Sequence, residues 1–197
     1  MAKKESTFGN MVITLSVVAL VAAALLGGIY ELTKEPIRLA ELRKKNEAIE
    51  AVVPAFNNTP SEEFVKYGVD GDSLILYTVK MDDEQIGTAV ETFTNNGFSG
   101  NFKLMVGFAP DGTIIDVAVI QHAETPGLGD KMEQDKSDFH VQFQGQHPEE
   151  FKLAVVKDKG DVDAITASTI SSRAYCEAVQ RAYDALVAVK GTTHNSN

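Results

Sequence analysis

The sequence predicts an α+β protein: an N-terminal transmembrane helix and a stalk helix, followed by an antiparallel sheet with packed helices. Three observations predict this fold. An uncharged block near the N-terminus is long enough to cross a bilayer. Four apolar, β-branched segments joined by short turns occupy the middle of the chain. A long segment with helical periodicity stands near the C-terminus, and the total of 197 residues suits one ordinary domain with an added segment.

The charge distribution separates a nearly neutral N-terminal quarter from an acidic remainder. Residues 1–50 hold 7 basic and 6 acidic side chains, whereas residues 51–197 hold 11 basic and 22 acidic side chains. A nucleic-acid binder needs a basic face, so the net charge of −10 argues against nucleic acid as a partner. The single cysteine, Cys176, excludes an intrachain disulfide and is expected to be a buried, inert thiol.

The uncharged block at residues 11–30, MVITLSVVALVAAALLGGIY, predicts a transmembrane helix. At about 1.5 Å per residue it spans about 30 Å, the thickness of a bilayer core. Tyr30 stands where an interfacial aromatic residue is expected. A cleaved signal peptide is the alternative, because Lys3 and Lys4 form a basic start and three consecutive alanines begin at Ala22. The apolar run continues past these alanines, which favours a retained anchor.

The charges that flank this block point in opposite directions. The two lysines before it indicate that residues 1–10 form a cytoplasmic tail. The positive-inside rule would, however, place the other end in the cytoplasm, because five basic residues follow the block: Lys34, Arg38, Arg43, Lys44 and Lys45.

Residues 31–54 predict a stalk helix that lies on its own domain or on membrane neighbours. Pro36 is tolerable near a helix start, and Pro54 ends the segment. Two heptads are too few to predict a coiled coil, although one row falls at helical spacing: Leu39, Leu42, Asn46, Ile49 and Val53.

The middle of the chain predicts an antiparallel meander of four strands, at Ser73–Lys80, Gln85–Phe93, Asn101–Phe108 and Thr113–His122. The connections carry residues that favour turns, at Asp82-Asp83, Asn95-Asn96-Gly97 and Asp111-Gly112.

Two further elements are expected downstream. Phe151–Val156 has the composition of another strand. A final helix is predicted from about Ile170 to Lys190, with Gly191 as its end and residues 192–197 as a flexible tail. Its apolar stripe consists of Ile170, Ala174, Ala178, Ala182, Leu186 and Val189.

Hydroxyl side chains crowd the segment just before this helix: Thr166, Ser168, Thr169, Ser171 and Ser172. The ordinary interpretation is a helix cap. The functional interpretation is an anion site, because the start of a helix offers free N–H groups and a partial positive charge that suit a phosphate.

Two glycine-containing loops are further candidates for ligand binding. Glu124–Gly129 has two glycines after a proline, which allow a flat ligand to approach the backbone closely. Residues 96–100 have the same character, and Phe98 is available for stacking. Most loops of this kind are only turns.

These motifs together resemble the FMN-binding domain family, which includes the G subunit of the Rnf electron-transport complex and the C subunit of the sodium-pumping NADH:quinone reductase. The resemblance covers about residues 10–190. It rests on the order of a single span, G-F-x-G, a strand, D-G, a strand, H-x-E-T-P-G-L-G and a threonine motif before the last helix. The short chain is more similar to the Rnf protein than to its longer relative.

The resemblance implies FMN bound covalently through its phosphate to a threonine, in a motif that reads roughly D-x-x-[ST]-G-A-T. Asp163, Thr166 and Thr169 match it, which makes Thr169 the expected attachment site. Ala167 replaces the glycine of the motif, and Ser168 replaces its alanine and supplies a second hydroxyl. The flavin ring is expected to contact Glu124, Thr125, Pro126, Gly127, Leu128, Gly129, Lys131 and Phe98.

The resemblance also implies an electron-relay protein within an ion-translocating ferredoxin:NAD+ oxidoreductase, matured by a flavin transferase and joined to other membrane subunits. The domain at residues 55–191 would lie on the periplasmic side of the cell inner membrane. Two alternatives stay open: the quinone reductase protein, and a membrane-anchored binding or assembly module without flavin.

The histidines have no spacing typical of a metal site: His122, His140, His147 and His194.

Overall fold

The computed structural model describes residues 7–69 and 71–194. The predicted cytoplasmic tail and the predicted flexible tail lie largely outside these residues, as does the side chain of His194. The chain divides into two compact units, residues 1–43 and residues 44–197. Helix α1, at Phe8–Val52, begins in the first unit and ends in the second.

The predicted membrane span and the predicted stalk, as far as Val52, belong to one helix. The sequence analysis placed Pro36 near the start of the stalk helix. In the structure Pro36 lies inside α1. Strong helix formers surround it, so the helix tolerates the loss of one backbone hydrogen bond. Every side chain from residue 11 to residue 30 is exposed, and the helix is long and apolar enough to cross a membrane. This exposure is what a lipid-facing segment requires.

The second unit contains a five-stranded antiparallel sheet in the order β1-β2-β3-β4-β5. The meander is therefore confirmed, with one additional strand at its edge. The sequence analysis missed β1, whose side chains are mostly exposed and lack a clear apolar alternation. The strands are β1 (Phe64–Val69), β2 (Asp72–Met81), β3 (Glu84–Gly97), β4 (Gly100–Phe108) and β5 (Ile114–Gln121).

Each face of the sheet buries a separate apolar cluster. Helix α2, at Thr169–His194, packs on one face, where the Thr92 hydroxyl donates a buried hydrogen bond of 3.0 Å to the Ala178 carbonyl. The last turn of α1 packs on the other face through Ile49 and Val52. Gly107 makes this second contact possible, because a Cβ at that position would overlap the Val52 carbonyl oxygen. Strands β2 to β5 consequently have buried side chains on both faces of the sheet.

Each of the two predicted apolar rows, in the stalk and in α2, is buried over only part of its length. In the predicted stalk, Ile49 and Val53 are buried, whereas Leu39 and Leu42 are exposed. The α2 stripe is buried from Ala174 to Leu186.

Three local predictions were wrong. Asn95–Gly97 belongs to β3, and the turn consists of the next two residues, because Gly97 pairs with Gly100. Phe151–Val156 forms no strand; Val155 makes one isolated bridge, and a short 3₁₀ helix follows. Gly191 does not end α2, which continues to His194. In contrast, Asp82 and Asp83 have positive φ angles and form the tight turn that joins β2 to β3.

Candidate functional site

Three segments that are distant in sequence meet around a cleft of about 270 Å³ at one end of the sheet. They are the β3–β4 turn, the loop that follows β5 and the start of α2. The lining residues are Phe98, Glu124, Thr125, Leu128, Gly129, Ala167, Ser168, Thr169, Ile170 and Ser171.

The β3–β4 turn places an aromatic side chain at the mouth of the cleft. Gly97 and Gly100 are paired, which leaves Phe98 and Ser99 as a two-residue turn. Gly100 has φ of 107°, a conformation that favours glycine. Phe98 is 67% exposed although it lines the cleft, so its ring has a face available to a ligand.

The loop after β5 forms a tight turn from Thr125 to Leu128. The Leu128 N–H donates to the Thr125 carbonyl at 3.1 Å. Pro126 and Gly127 occupy the two central positions, and Gly127 has φ of 78°, as a type II turn requires. The chain then enters a short 3₁₀ helix at Gly129–Met132. Thr125 and Leu128, at the two ends of the turn, line the cleft. Pro126 and Gly127, at its centre, do not.

The segment before α2 contains a residue in the left-handed backbone conformation. Ala167 has φ of 62°, which reverses the chain so that the Ser168 N–H donates to the Ile165 carbonyl at 2.9 Å. The buried Ser172 hydroxyl fastens the same turn: it accepts from the Ile165 N–H at 2.9 Å and donates to the Ser168 carbonyl at 3.0 Å. Among the hydroxyl residues of this segment, Ser172 therefore holds the turn before α2 together.

The resulting geometry leaves Thr169 partly exposed in the wall of the cleft, at the first residue of α2. Ser168 is also in the wall but is 7% exposed. Asp163 and Thr166 are exposed and lie outside the lining. The Asp163 backbone is held by the Gln142 side chain, whose Oε1 accepts from the Asp163 N–H at 2.8 Å.

Glu124 joins the three segments. One carboxylate oxygen accepts from the Ser99 N–H at 3.2 Å, and the other accepts from the Ser171 hydroxyl at 3.0 Å. The side chain occupies space next to two glycines: a Cβ at Gly97 would lie 2.7 Å from one carboxylate oxygen, and a Cβ at Gly129 would lie 2.5 Å from the other. The cleft wall is thus built around a buried carboxylate.

His122 supports this loop from behind. Its Nδ1 accepts from the Glu124 N–H at 3.0 Å, and its Nε2 faces the Glu133 carboxylate. Accepting at Nδ1 places the imidazole proton on Nε2, where Glu133 can accept it. His122 therefore orients the loop and does not line the cleft. Within residues 7–69 and 71–194, no group of three or more His, Cys, Asp and Glu side chains has metal-binding geometry.

The buried face of α2 carries two titratable groups that stay protonated at neutral pH. Burial raises the pKa of the Tyr175 hydroxyl well above its ordinary value. Burial also raises the pKa of the Cys176 thiol to about 12, and the residue is 2% exposed. The expected buried thiol is confirmed, and it is not a nucleophile at neutral pH.

The structure brings together seven of the twelve residues that the sequence analysis selected: Phe98, Glu124, Thr125, Leu128, Gly129, Ser168 and Thr169. Five lie outside the lining: Pro126, Gly127, Lys131, Asp163 and Thr166. Three lining residues were not among the twelve: Ala167, Ile170 and Ser171. Ile170 was assigned to the apolar stripe of α2, but it is 48% exposed; that exposure is a consequence of its place at the helix start.

Comparisons with known proteins identify close relatives. Residues 97–184, which include the whole lining of the cleft, match the family model described as "FMN-binding domain". The G subunit of the ion-translocating oxidoreductase complex of Erwinia tasmaniensis is 36% identical over 180 residues, covering 86% of this chain and 85% of the relative. The proteins of the same name from Salmonella typhi and Escherichia coli are each 34% identical over 180 residues, covering 86% of this chain and 86% of the relative.

Proposed function

This chain belongs to the family of the G subunits of ion-translocating oxidoreductase complexes, and we propose that it relays electrons on an FMN joined to Thr169 by a phosphoester. It is an electron-transfer subunit of the Rnf-type complex, with an FMN-binding domain. The proposal goes further in assigning the covalent bond, its residue and the ring contacts. The observation that carries it is the place of Thr169, a partly exposed residue, in the wall of the cleft.

The residues around the cleft fit a flavin nucleotide. Thr169 is the first residue of α2, where backbone N–H groups have no acceptor within the helix and where a phosphate is favoured by about 1 kcal/mol. Gly129 lets the backbone pass close to Glu124 and Ser171, because a Cβ at this position would contact both side chains. Phe98 and Leu128 supply exposed apolar surface for a flat ring system.

Each part of the site has a distinct task in this proposal. Bound FMN supplies the redox chemistry, and the protein sets its position and potential. Thr169 holds the phosphate, and the left-handed Ala167 presents the threonine at the surface, where a flavin transferase can reach it. Asp163 and Thr166 are exposed nearby and serve recognition by the transferase. Thr125, Leu128 and Gly129 would contact the ring, and the exposed Phe98 would be available to stack on it. Pro126, Gly127 and Lys131 act by shaping the loop.

We also propose where the domain works. The apolar part of α1 anchors the chain in the membrane, and the flavin domain lies on the periplasmic side of the inner membrane. There a covalent phosphoester prevents loss of a cofactor that the surroundings do not resupply. The partners are the other subunits of the complex, which moves electrons between ferredoxin and NAD+, and the flavin transferase.

The decisive experiment is co-expression of the full chain with a flavin transferase, followed by a denaturing gel under ultraviolet light and intact-mass measurement. The wild-type chain should fluoresce and gain the mass of one FMN, and Thr169→Ala should be dark. Ser168→Ala is the matched control, because it removes the neighbouring hydroxyl and should stay fluorescent. Fluorescence that survives Thr169→Ala and is lost in Ser168→Ala would move the attachment site to Ser168.

The same experiment separates one alternative, and co-purification separates the other. A dark wild-type band without the FMN mass would favour a membrane-anchored binding or assembly module. The corresponding protein of a sodium-pumping quinone reductase would also fluoresce, but it would co-purify with the other subunits of that enzyme.

A further inference from the structure

The Glu124 carboxylate is the most enclosed charge-bearing group in the wall of the cleft. It is 6% exposed, and the cleft lining includes it. Burying a carboxylate is costly unless its oxygens receive hydrogen bonds. Both oxygens do so, one from the Ser99 N–H and one from the Ser171 hydroxyl.

In both contacts the carboxylate acts as the hydrogen-bond acceptor. A backbone N–H can only donate, so the oxygen that faces Ser99 must be an acceptor. The Ser171 hydroxyl donates to the second oxygen in the same geometry. Among the residues that the structure describes, no Lys, Arg or His forms an ion pair with Glu124. The negative charge is therefore held by neutral donors and is not cancelled by a cation.

The side chain also has little freedom to move away. Its two oxygens lie beside Gly97 and Gly129, at positions where even a methyl group would contact them. The Glu124 backbone is anchored in turn by the His122 ring. A charge fixed in this manner acts on whatever occupies the cleft.

We propose that Glu124 lowers the reduction potential of the flavin by holding a fixed negative charge in the wall of its site. The inference rests on the proposed function, because it requires FMN in this cleft. When FMN takes up two electrons and one proton, its ring gains one net negative charge. A carboxylate in a partly water-excluded wall opposes that added charge and favours the oxidised flavin.

The test compares three variants of the full chain, loaded by the transferase and checked by intact mass for one FMN each. Glu124→Gln removes the charge and keeps the shape, since the amide oxygen can accept from Ser99 and the amide N–H can donate to Ser171. Ser171→Ala keeps the charge and removes one donor. Glu150→Gln makes the first substitution at an exposed position outside the cleft. Covalent attachment retains the flavin even where ring contacts weaken, so each potential can be measured by redox titration of flavin absorbance.

Opposite shifts are expected from the two cleft variants. Glu124→Gln should raise the ratio of reduced to oxidised flavin at a given potential about tenfold, a rise of about 30 mV for a two-electron couple. Ser171→Ala should lower the potential, because the carboxylate loses a donor that partly offsets its field. Glu150→Gln should match the wild type. A structural disturbance alone would not produce opposite signs from these two substitutions.

The outcomes separate this inference from the function on which it rests. A wild-type chain without the FMN mass would overturn both. A loaded wild-type chain whose potential equals that of Glu124→Gln would overturn the role of Glu124 alone. If Glu124→Gln does not accumulate as a folded chain, Ser171→Ala decides: a lowered potential supports the inference, and an unchanged or raised potential overturns it.

Discussion

Ala167→Gly should stabilise the domain, although it replaces a residue with a smaller one. Ala167 has φ of 62° in the turn before α2, and its side chain is exposed. An alanine in the left-handed region costs about 1–2 kcal/mol, which glycine avoids. Against this, glycine gives the unfolded chain more conformational freedom, which lowers the stability by about 0.4–1 kcal/mol. The difference predicts a gain of about 0.5–1 kcal/mol in the free energy of unfolding.

The assay is thermal unfolding of the full chain in detergent, produced without flavin transferase so that cofactor loading does not contribute. For a domain of this size, the gain should raise Tm by about 2 °C. Ala164→Gly is the matched control, because it makes the same substitution in the same loop at an exposed residue whose φ is not positive. It should lower stability by about 0.4–1 kcal/mol. An equal loss of stability in both variants would refute the argument from backbone strain.

Three further outcomes follow from buried contacts. Ser172→Ala removes two buried hydrogen bonds at the start of α2, and should cost about 2 kcal/mol in urea unfolding; a cost below about 0.5 kcal/mol would contradict this role. Gly107→Ala should destabilise by more than about 2 kcal/mol in the same assay, because its Cβ would overlap the end of α1, whereas Gly68→Ala should be tolerated since its nearest atom lies 4.0 Å away. Burial raises the pKa of Cys176 from 9.0 to about 12, so this thiol stabilises the fold fully below about pH 9 and loses that contribution as pH rises toward 12. Folded chain should consequently resist a thiol reagent at neutral pH, and urea-unfolded chain should react; equal rates would contradict the burial.

Local patterns were sufficient where one residue type dictates one geometry. The Asp82-Asp83 turn and the uncharged run at residues 11–30 needed no distant partner to be recognised. Strands β2 to β5, which carry most of the buried residues of the sheet, were also found. Strand β1 escaped because it lies at the sheet edge with mostly exposed side chains, so no alternation marks it. Phe151–Val156 failed for the opposite reason: its apolar side chains are partly covered by the core without a neighbouring strand to pair with.

The candidate site shows the same division between local and distant information. A motif resemblance singled out Thr169 and the glycine-containing loops, because these features are contiguous in the chain. It could not show that the φ of Ala167 is positive, or that Ser171 faces Glu124. The second fact depends on how the loop after β5 and the start of α2 meet, because Glu124 and Ser171 are 47 residues apart in sequence.

The sequence by itself determined the class of the fold, the apolar segment long enough to span a membrane, and the residues that resemble an FMN attachment motif. Hydrophobic periodicity, turn chemistry and residue order are local properties, and they can be recognised without knowledge of the packing. Only the tertiary structure decided that the last turn of α1 and helix α2 pack on opposite faces of one sheet, and that a buried carboxylate stands in the wall of the cleft. Burial and convergence depend on contacts between distant segments, and the charge on Glu124 has its proposed effect only because those contacts exclude water around it.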